Sequence, residues 1–143
     1  MKFRLVAASV LAPKVPAKRD PIVIRNERLV RAYIDAVARR DFEAARLLCA
    51  PDMRMQATEP DGTSGDVTGF DEALAFSMRR LHALDLSLRY QPVESLSDGD
   101  RVALLFAPTA DEAGRIVAPH RVAVYVVEDG LIQSFRVYEG PNT

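Results

Sequence analysis

Residues 101–139 read RVALLFAPTADEAGRIVAPHRVAVYVVEDGLIQSFRVYE, and this stretch decides the fold. Residues 101–106 are a short apolar run, and residues 116–127 are a longer, valine-rich one broken by Pro119. Proline has no N–H to give to a ladder, so Pro119 marks a bulge or an edge. Glu128-Asp129-Gly130 is a turn signal, which makes residues 131–139 the last strand. Residues 108–114 form a polar connection. Upstream, Asp98-Gly99-Asp100 is the turn of a hairpin. Before it, Leu86, Leu88 and Tyr90 alternate with Ser87 and Arg89, the two-residue period of a strand with one buried face. The connections are too short for crossovers, so the meander is expected to be antiparallel.

Towards the N-terminus the period lengthens. Leu29, Tyr33 and Val37 fall on one helical stripe between residues 22 and 39, and Val30, Ile34 and Ala38 widen it. Asp20 and Asn26 are both suitable N-caps, since a short side-chain oxygen accepts a free backbone N–H at a helix start. A second, shorter helix begins at Asp41, runs through Phe42, Ala45, Leu48 and Cys49, and stops at Pro51-Asp52. Residues 53–58 alternate as a short strand, and residues 59–65, EPDGTSG, are a loop by composition. Thr68 or Gly69 opens a third helix. Its apolar face starts with Phe70, Ala73 and Leu74 and ends with Met78 and Leu81, while Arg79 and Arg80 read as a solvated face. Helices segregated from a run of strands make an α+β architecture. One sheet with helices on a single face leaves its other face to cover, which predicts a homodimer.

The chain has 143 residues, 48% of them hydrophobic and 27% charged, enough for one domain with a core. That domain is expected over residues 22–143, after an N-terminal arm or strand over residues 1–21. The apolar run at residues 5–12 is short for a secretory signal, and Pro13, Pro16 and Pro21 follow it closely. A cytoplasmic protein is therefore expected. Nineteen basic and twenty acidic residues leave a net charge of −1, so no global field recruits nucleic acid or an anionic membrane. No apolar run approaches the roughly 18 residues that span a bilayer. Cys49 is the one cysteine, which excludes an internal disulfide and a cysteine zinc site, and the two histidines argue against a His-rich metal site. The remaining partner classes are a small molecule and a second copy of the chain.

Three stretches resemble the nuclear transport factor 2-like superfamily, in its SnoaL-like and ketosteroid-isomerase-like branch. The first is Leu29-Val-Arg-Ala-Tyr-Ile-Asp-Ala-Val37, with Arg40-Asp-Phe-Glu-Ala-Ala-Arg-Leu-Leu48 and Pro51-Asp52 after it. The second is Gly99-Asp-Arg-Val-Ala103, and the third is Val117-Ala-Pro119 with Asp129-Gly-Leu-Ile132. The resemblance implies a cone-shaped, curved antiparallel sheet wrapped around three N-terminal helices, a cystatin-like α+β barrel with an apolar pocket. It also implies a cofactor-independent isomerase or cyclase that transfers a proton on an apolar cyclic or polyketide-like substrate. Such chemistry needs a carboxylate base and hydrogen-bond donors to the developing oxyanion. By resemblance to the isomerases, Tyr33, eight residues before Asp41, is the oxyanion donor. Glu59 or Asp61, in Glu59-Pro60-Asp61-Gly62, is the base. The second donor falls at Arg121 or His120, a departure from the protonated acid of the isomerases that argues against steroid isomerisation itself. In SnoaL-like cyclases a carboxylate stands near the end of the last strand, where this chain has Glu139.

Alternation makes one of His120 and Arg121 face inward, with Ala123 and Tyr125 beside Arg121. On the last strand Ser134, Arg136 and Tyr138 share one face, and Phe135, Val137 and Glu139 the other. Tyr125, Arg136, Tyr138, Phe76 and Phe106 are the candidate substrate contacts. No metal or cofactor site is expected. Two rival readings remain. A non-catalytic binding or dimerisation module would have its interior plugged by Phe42, Phe76, Phe106 and Phe135, instead of a cavity of roughly 300 Å³ or more. An epoxide hydrolase or epoxide-opening cyclase would set Arg121 between two carboxylates.

Overall fold

In the computed structural model, the residues described are 20–59, 61–83, 92–107, 109–110, 113–118 and 120–139. The expected N-terminal arm, the strand at residues 86–90 and Pro119 lie outside them, apart from Asp20 and Pro21 at the end of the arm. Helix α1 spans Pro21–Ala38, α2 Phe42–Arg46 and α3 Phe70–Ala83. The strands are β1 (Cys49–Thr58), β2 (Ser64–Thr68), β3 (Pro92–Asp98), β4 (Arg101–Phe106), β5 (Thr109–Ala110), β6 (Ile116–Ala118), β7 (Arg121–Glu128) and β8 (Leu131–Glu139). No described helix is long and apolar enough to cross a membrane.

Asp20 caps α1: its carboxylate accepts from the Ile22 backbone N–H at 2.9 Å, and Pro21 occupies the first turn, where its missing N–H costs nothing. Asn26 is buried on the same helix and donates to the Gly99 carbonyl at 3.2 Å, so it ties α1 to the β3–β4 turn. Asp41 caps α2 through the Ala44 N–H. That helix is shorter than the sequence reading, and Cys49 opens β1 instead of closing the helix.

The six-stranded sheet has the order β2-β1-β8-β7-β4-β3. The meander β3-β4-β7-β8 is antiparallel throughout, as the short connections require. The expected α+β fold of three helices on a sheet is borne out, and the strand pairing adds two details. β1 pairs with β8 in parallel, and the sheet is open, ending in β2 and β3. The β1–β8 register slips between Cys49 and Arg54, across Pro51, which has no N–H for the ladder. Part of the expected 59–65 loop is strand: β2 folds back on β1 with Thr58 opposite Ser64 and Ala57 opposite Gly65.

One face of the sheet carries the core. Met53 and Met55 from β1, Val102 and Leu104 from β4, Ala123, Tyr125 and Val127 from β7, and Ile132 and Phe135 from β8 are all buried, and Val30, Tyr33, Ala73 and Phe76 of the helices pack on them. A bulge sets the parity of β8. Val126 faces Ser134 while Val127 faces Ile132, so Gln133 is the extra residue, and both Ile132 and Phe135 point inward. Arg136 and Tyr138 consequently project from the outer face.

Candidate active-site cleft

Three register-matched rows of the inner face build the site. Phe106, Arg121 and Glu139 are direct partners across β4, β7 and β8. In the next rows Ala123 pairs with Val137, and Tyr125 with Phe135. Directly opposed residues put their side chains on the same face, so these rows form a floor. Helix α3 roofs it with Ser77 and Arg80, and Met55 of β1 closes one side. Together with the floor they enclose a cleft of about 40 Å³.

The walls are mostly apolar. The Tyr125 and Phe135 rings stack at 5.0 Å between centroids. Tyr33 packs against both, each at 6.1 Å, and is itself buried. Tyr33 therefore supports the cleft from behind, and it does not line it.

The polar groups gather at the Arg121 end. Arg121 is 5% exposed and Arg80 is 8% exposed, an unusual depth for guanidiniums. Arg121 lies 5.5 Å from the Phe106 ring centroid, a cation–π contact. Arg80 donates through Nε to the Thr58 carbonyl at 3.1 Å and forms an ion pair through Nη2 with the Glu139 carboxylate. Helix α3 is thereby clamped to the ends of two strands that lie side by side.

The reading of Arg80 as part of a solvated face is corrected by this burial. The signal was in the sequence: Arg80 follows Ala73 by seven residues and Phe76 by four, on the helix face that is buried. Of His120 and Arg121, the arginine turns inward, while His120 is exposed just before β7. Tyr125 and Phe106 line the cleft. Phe76 is wholly buried in the neighbouring core, pressed against Gly65.

Other candidates stand elsewhere. Glu59 lies at the end of β1, where its Oε1 accepts from Arg79 at 3.4 Å. Asp61 is exposed in the hairpin and accepts from the Thr63 N–H at 2.9 Å and the Thr63 hydroxyl at 2.6 Å. Those two bonds hold its carboxyl below its ordinary value. Neither acid lines the cleft. Arg136 donates to the Gln56 side chain on the outer face, and Tyr138 beside it is half exposed. The carboxylate joined to a cleft arginine is Glu139, through Arg80. Among the described residues, no three His, Cys, Asp or Glu side chains come together to hold a metal ion.

The chain's solved neighbours share this architecture. An NTF2-like protein of unknown function from Burkholderia pseudomallei is 26% identical, with a TM-score of 0.63 over 81% of this chain and 91% of that one. TerC, crystallised with polyporic acid, is 20% identical, with a TM-score of 0.66 over 81% and 92%. A candidate ketosteroid isomerase from Kribbella flavida is 22% identical, with a TM-score of 0.56 over 85% of each chain. No curated protein sequence matches the chain significantly. The family model of the SnoaL-like domain matches residues 30–135, from the middle of α1 to the floor of the cleft, and the chain belongs to that family, on the NTF2-like α+β fold.

Proposed function

We propose that the protein is a small-molecule pocket enzyme: a cofactor-independent isomerase or cyclase that moves a proton on an apolar cyclic or polyketide-like substrate. The observation that carries this reading is a pair of buried guanidiniums, Arg80 and Arg121, on the wall of a mostly apolar cleft, with the Glu139 carboxylate paired to Arg80 and standing opposite Arg121 in the sheet. A carboxylate takes and returns a proton, and a guanidinium stabilises the oxyanion that forms when the proton leaves a carbon next to a carbonyl. In this scheme Glu139 is the base and Arg121 the electrophilic donor, with Tyr33 holding the Tyr125–Phe135 stack in place. The co-crystallisation of TerC, a protein of the same fold, with polyporic acid supports a small-molecule ligand. The test is turnover of a panel of cyclic enones and 1,3-diketones. Glu139→Gln and Arg121→Gln are expected to lose about a hundredfold or more in kcat, and Glu59→Gln to lose little. Full activity in both cleft variants overturns the assignment.

A second reading is supported by the size of the cleft. Ligand pockets usually start near 300 Å³, and this one holds about 40 Å³. A non-catalytic module, paired with a second copy through the outer face of the sheet, fits that volume. The centre of that face is apolar, with Leu105, Val122, Val124 and Val126 only half buried and Leu96 exposed. Sedimentation of wild type against Val124→Lys tests the pairing: a dimer that the lysine splits supports it, and a monomeric wild type removes it.

A further inference from the structure

We infer that the N-terminal arm, residues 1–19, docks on its own domain, in a groove bounded by α2, the start of β1 and the start of α3. The net charge of −1 hides a division along the chain. Five of the nineteen basic residues, Lys2, Arg4, Lys14, Lys18 and Arg19, lie in the arm, and none of the twenty acidic ones does. Fourteen basic and twenty acidic residues remain in residues 20–143, a net charge of −6 against +5 on the arm. Between Lys2 and Pro13 the arm also carries Phe3, Leu5, Val6, Val10 and Leu11. A segment both cationic and apolar is matched by a surface both acidic and apolar.

The groove has both properties. It holds about 710 Å³, with Cys49, Ala50, Phe70 and Leu131 among its apolar lining and Leu47 standing 76% exposed at its side. Asp71 and Glu72 line it as well. Its cation among the described residues is Arg46, which lies 4.9 Å from the Phe70 ring centroid and is ion-paired with Asp71 at 2.7 Å and Glu43 at 3.2 Å. Exposed Asp52 follows Pro51 at the lip, so four carboxylates stand against one guanidinium that two of them already hold. The outer face of the sheet is a poorer match: Arg136 stands beside Val124 there, and the Asp66 carboxylate on that face is paired with Arg54. An anionic membrane attracts the arm but repels the domain behind it. Length fits too. Helix α1 has 18 residues, about 27 Å from Asp20 to the turn that leads into α2. Residues 12–19, with Pro13 and Pro16, span about 25 Å when extended. They can carry residues 1–11 from the start of α1 to the groove.

All three lysines of the chain, Lys2, Lys14 and Lys18, lie in the arm. Carbodiimide coupling joins an amine to a carboxylate that touches it, so mass spectrometry of the coupled, monomeric full chain maps the arm. Lys2 is expected to couple mainly to Glu43, Asp52, Asp71 and Glu72, four of the twenty acids. Leu47→Ser removes an exposed apolar contact and leaves the core and all four acids in place. It should return the Lys2 couplings towards the one-fifth share that chance gives those four. Lys2 couplings that are absent, spread evenly over the surface or found only between two chains overturn the docking, as does a pattern that Leu47→Ser leaves unchanged. Sedimentation of the full chain with phosphatidylserine vesicles, without Lys2 coupling to the four acids, overturns it too and makes the arm a membrane contact. None of these outcomes bears on the chemistry of the cleft.

Discussion

Arg80, on α3, and Glu139, the last residue of β8, are joined by an ion pair that fastens the helical layer to the end of the sheet. Only 9% of the Arg80 side chain is exposed, against 24% of Glu139. Removing the acid leaves a buried cation without that partner, at a cost of about 3 kcal/mol, less what water at the Glu139 side recovers. Glu139→Gln should therefore lower the thermal midpoint by about 3–10 °C. Arg80→Met combined with Glu139→Gln should recover much of that loss, because it takes away the stranded buried charge. Thermal unfolding followed by circular dichroism checks both. A double variant no better than the single one would show that Arg80 acts mainly through Thr58.

Gly65 makes a second test. A β-carbon there would lie 2.4 Å from Phe76 Cζ. Phe76 is fully buried, so its ring must shift against packed neighbours to make room. Gly65→Ala is expected to destabilise the chain by about 1–3 kcal/mol, the usual cost of overpacking, and denaturant titration measures it. A neutral outcome would mean that the β1–β2 hairpin lifts freely off α3.

The outer face has its own pH signature. Hydrogen bonds from Arg54, then from Gln56, hold the Asp66 carboxyl below its ordinary 3.8. A carboxyl lowered on folding contributes stability that is fully present above the unfolded value and is lost as the pH falls through the folded one. Asp66 should thus stabilise the protein evenly from neutral pH down to about 4 and cease to do so in stronger acid. The gap in thermal midpoint between wild type and Asp66→Asn should close over that acid range. A gap that persists in strong acid would separate the effect from the charge.

Burial pushes the Cys49 thiol up to about 12 from an ordinary value of 9.0. The native protein should resist iodoacetamide at pH 8 and react once unfolded, as mass spectrometry can follow. The sign of the linkage is opposite to that of Asp66. The folded state holds the proton more tightly, so this contribution is present below pH 9 and is lost as the pH rises towards 12. Cys49→Ala should flatten that alkaline decline. Rapid alkylation of the native chain at pH 8 would contradict the burial.

Local features of the chain were legible before any coordinates. The stripe of Leu29, Tyr33 and Val37, the Asp98–Asp100 turn and the valine run of β7 each carry their structure in a short window. The parallel neighbour of β1 does not, because Met55 and its partner Phe135 lie too far apart in sequence for any local pattern to join them. The face of β8 was hidden by one bulged residue, Gln133, which reverses a simple alternation. Part of the cleft followed from spacing: Arg121, Ala123 and Tyr125 share a parity along β7 that sequence reveals. Arg80 did not stand out, since charge suggests solvent more strongly than a seven-residue spacing suggests burial. The reach of Glu139 to Arg80 depends on the helix angle, which no sequence pattern encodes.

The parallel seam between β1 and β8 also bears on how the protein is made. Translation produces β1 and β2 before β3 to β8, yet among the described residues they are joined to the other strands of the sheet through β8, the last of them. Until β8 has been made, the β1 edge stays without its partner and is open to pairing with other nascent chains. A chain cut short within β8 would lose the Arg80 anchor and the join between the two halves of its sheet together.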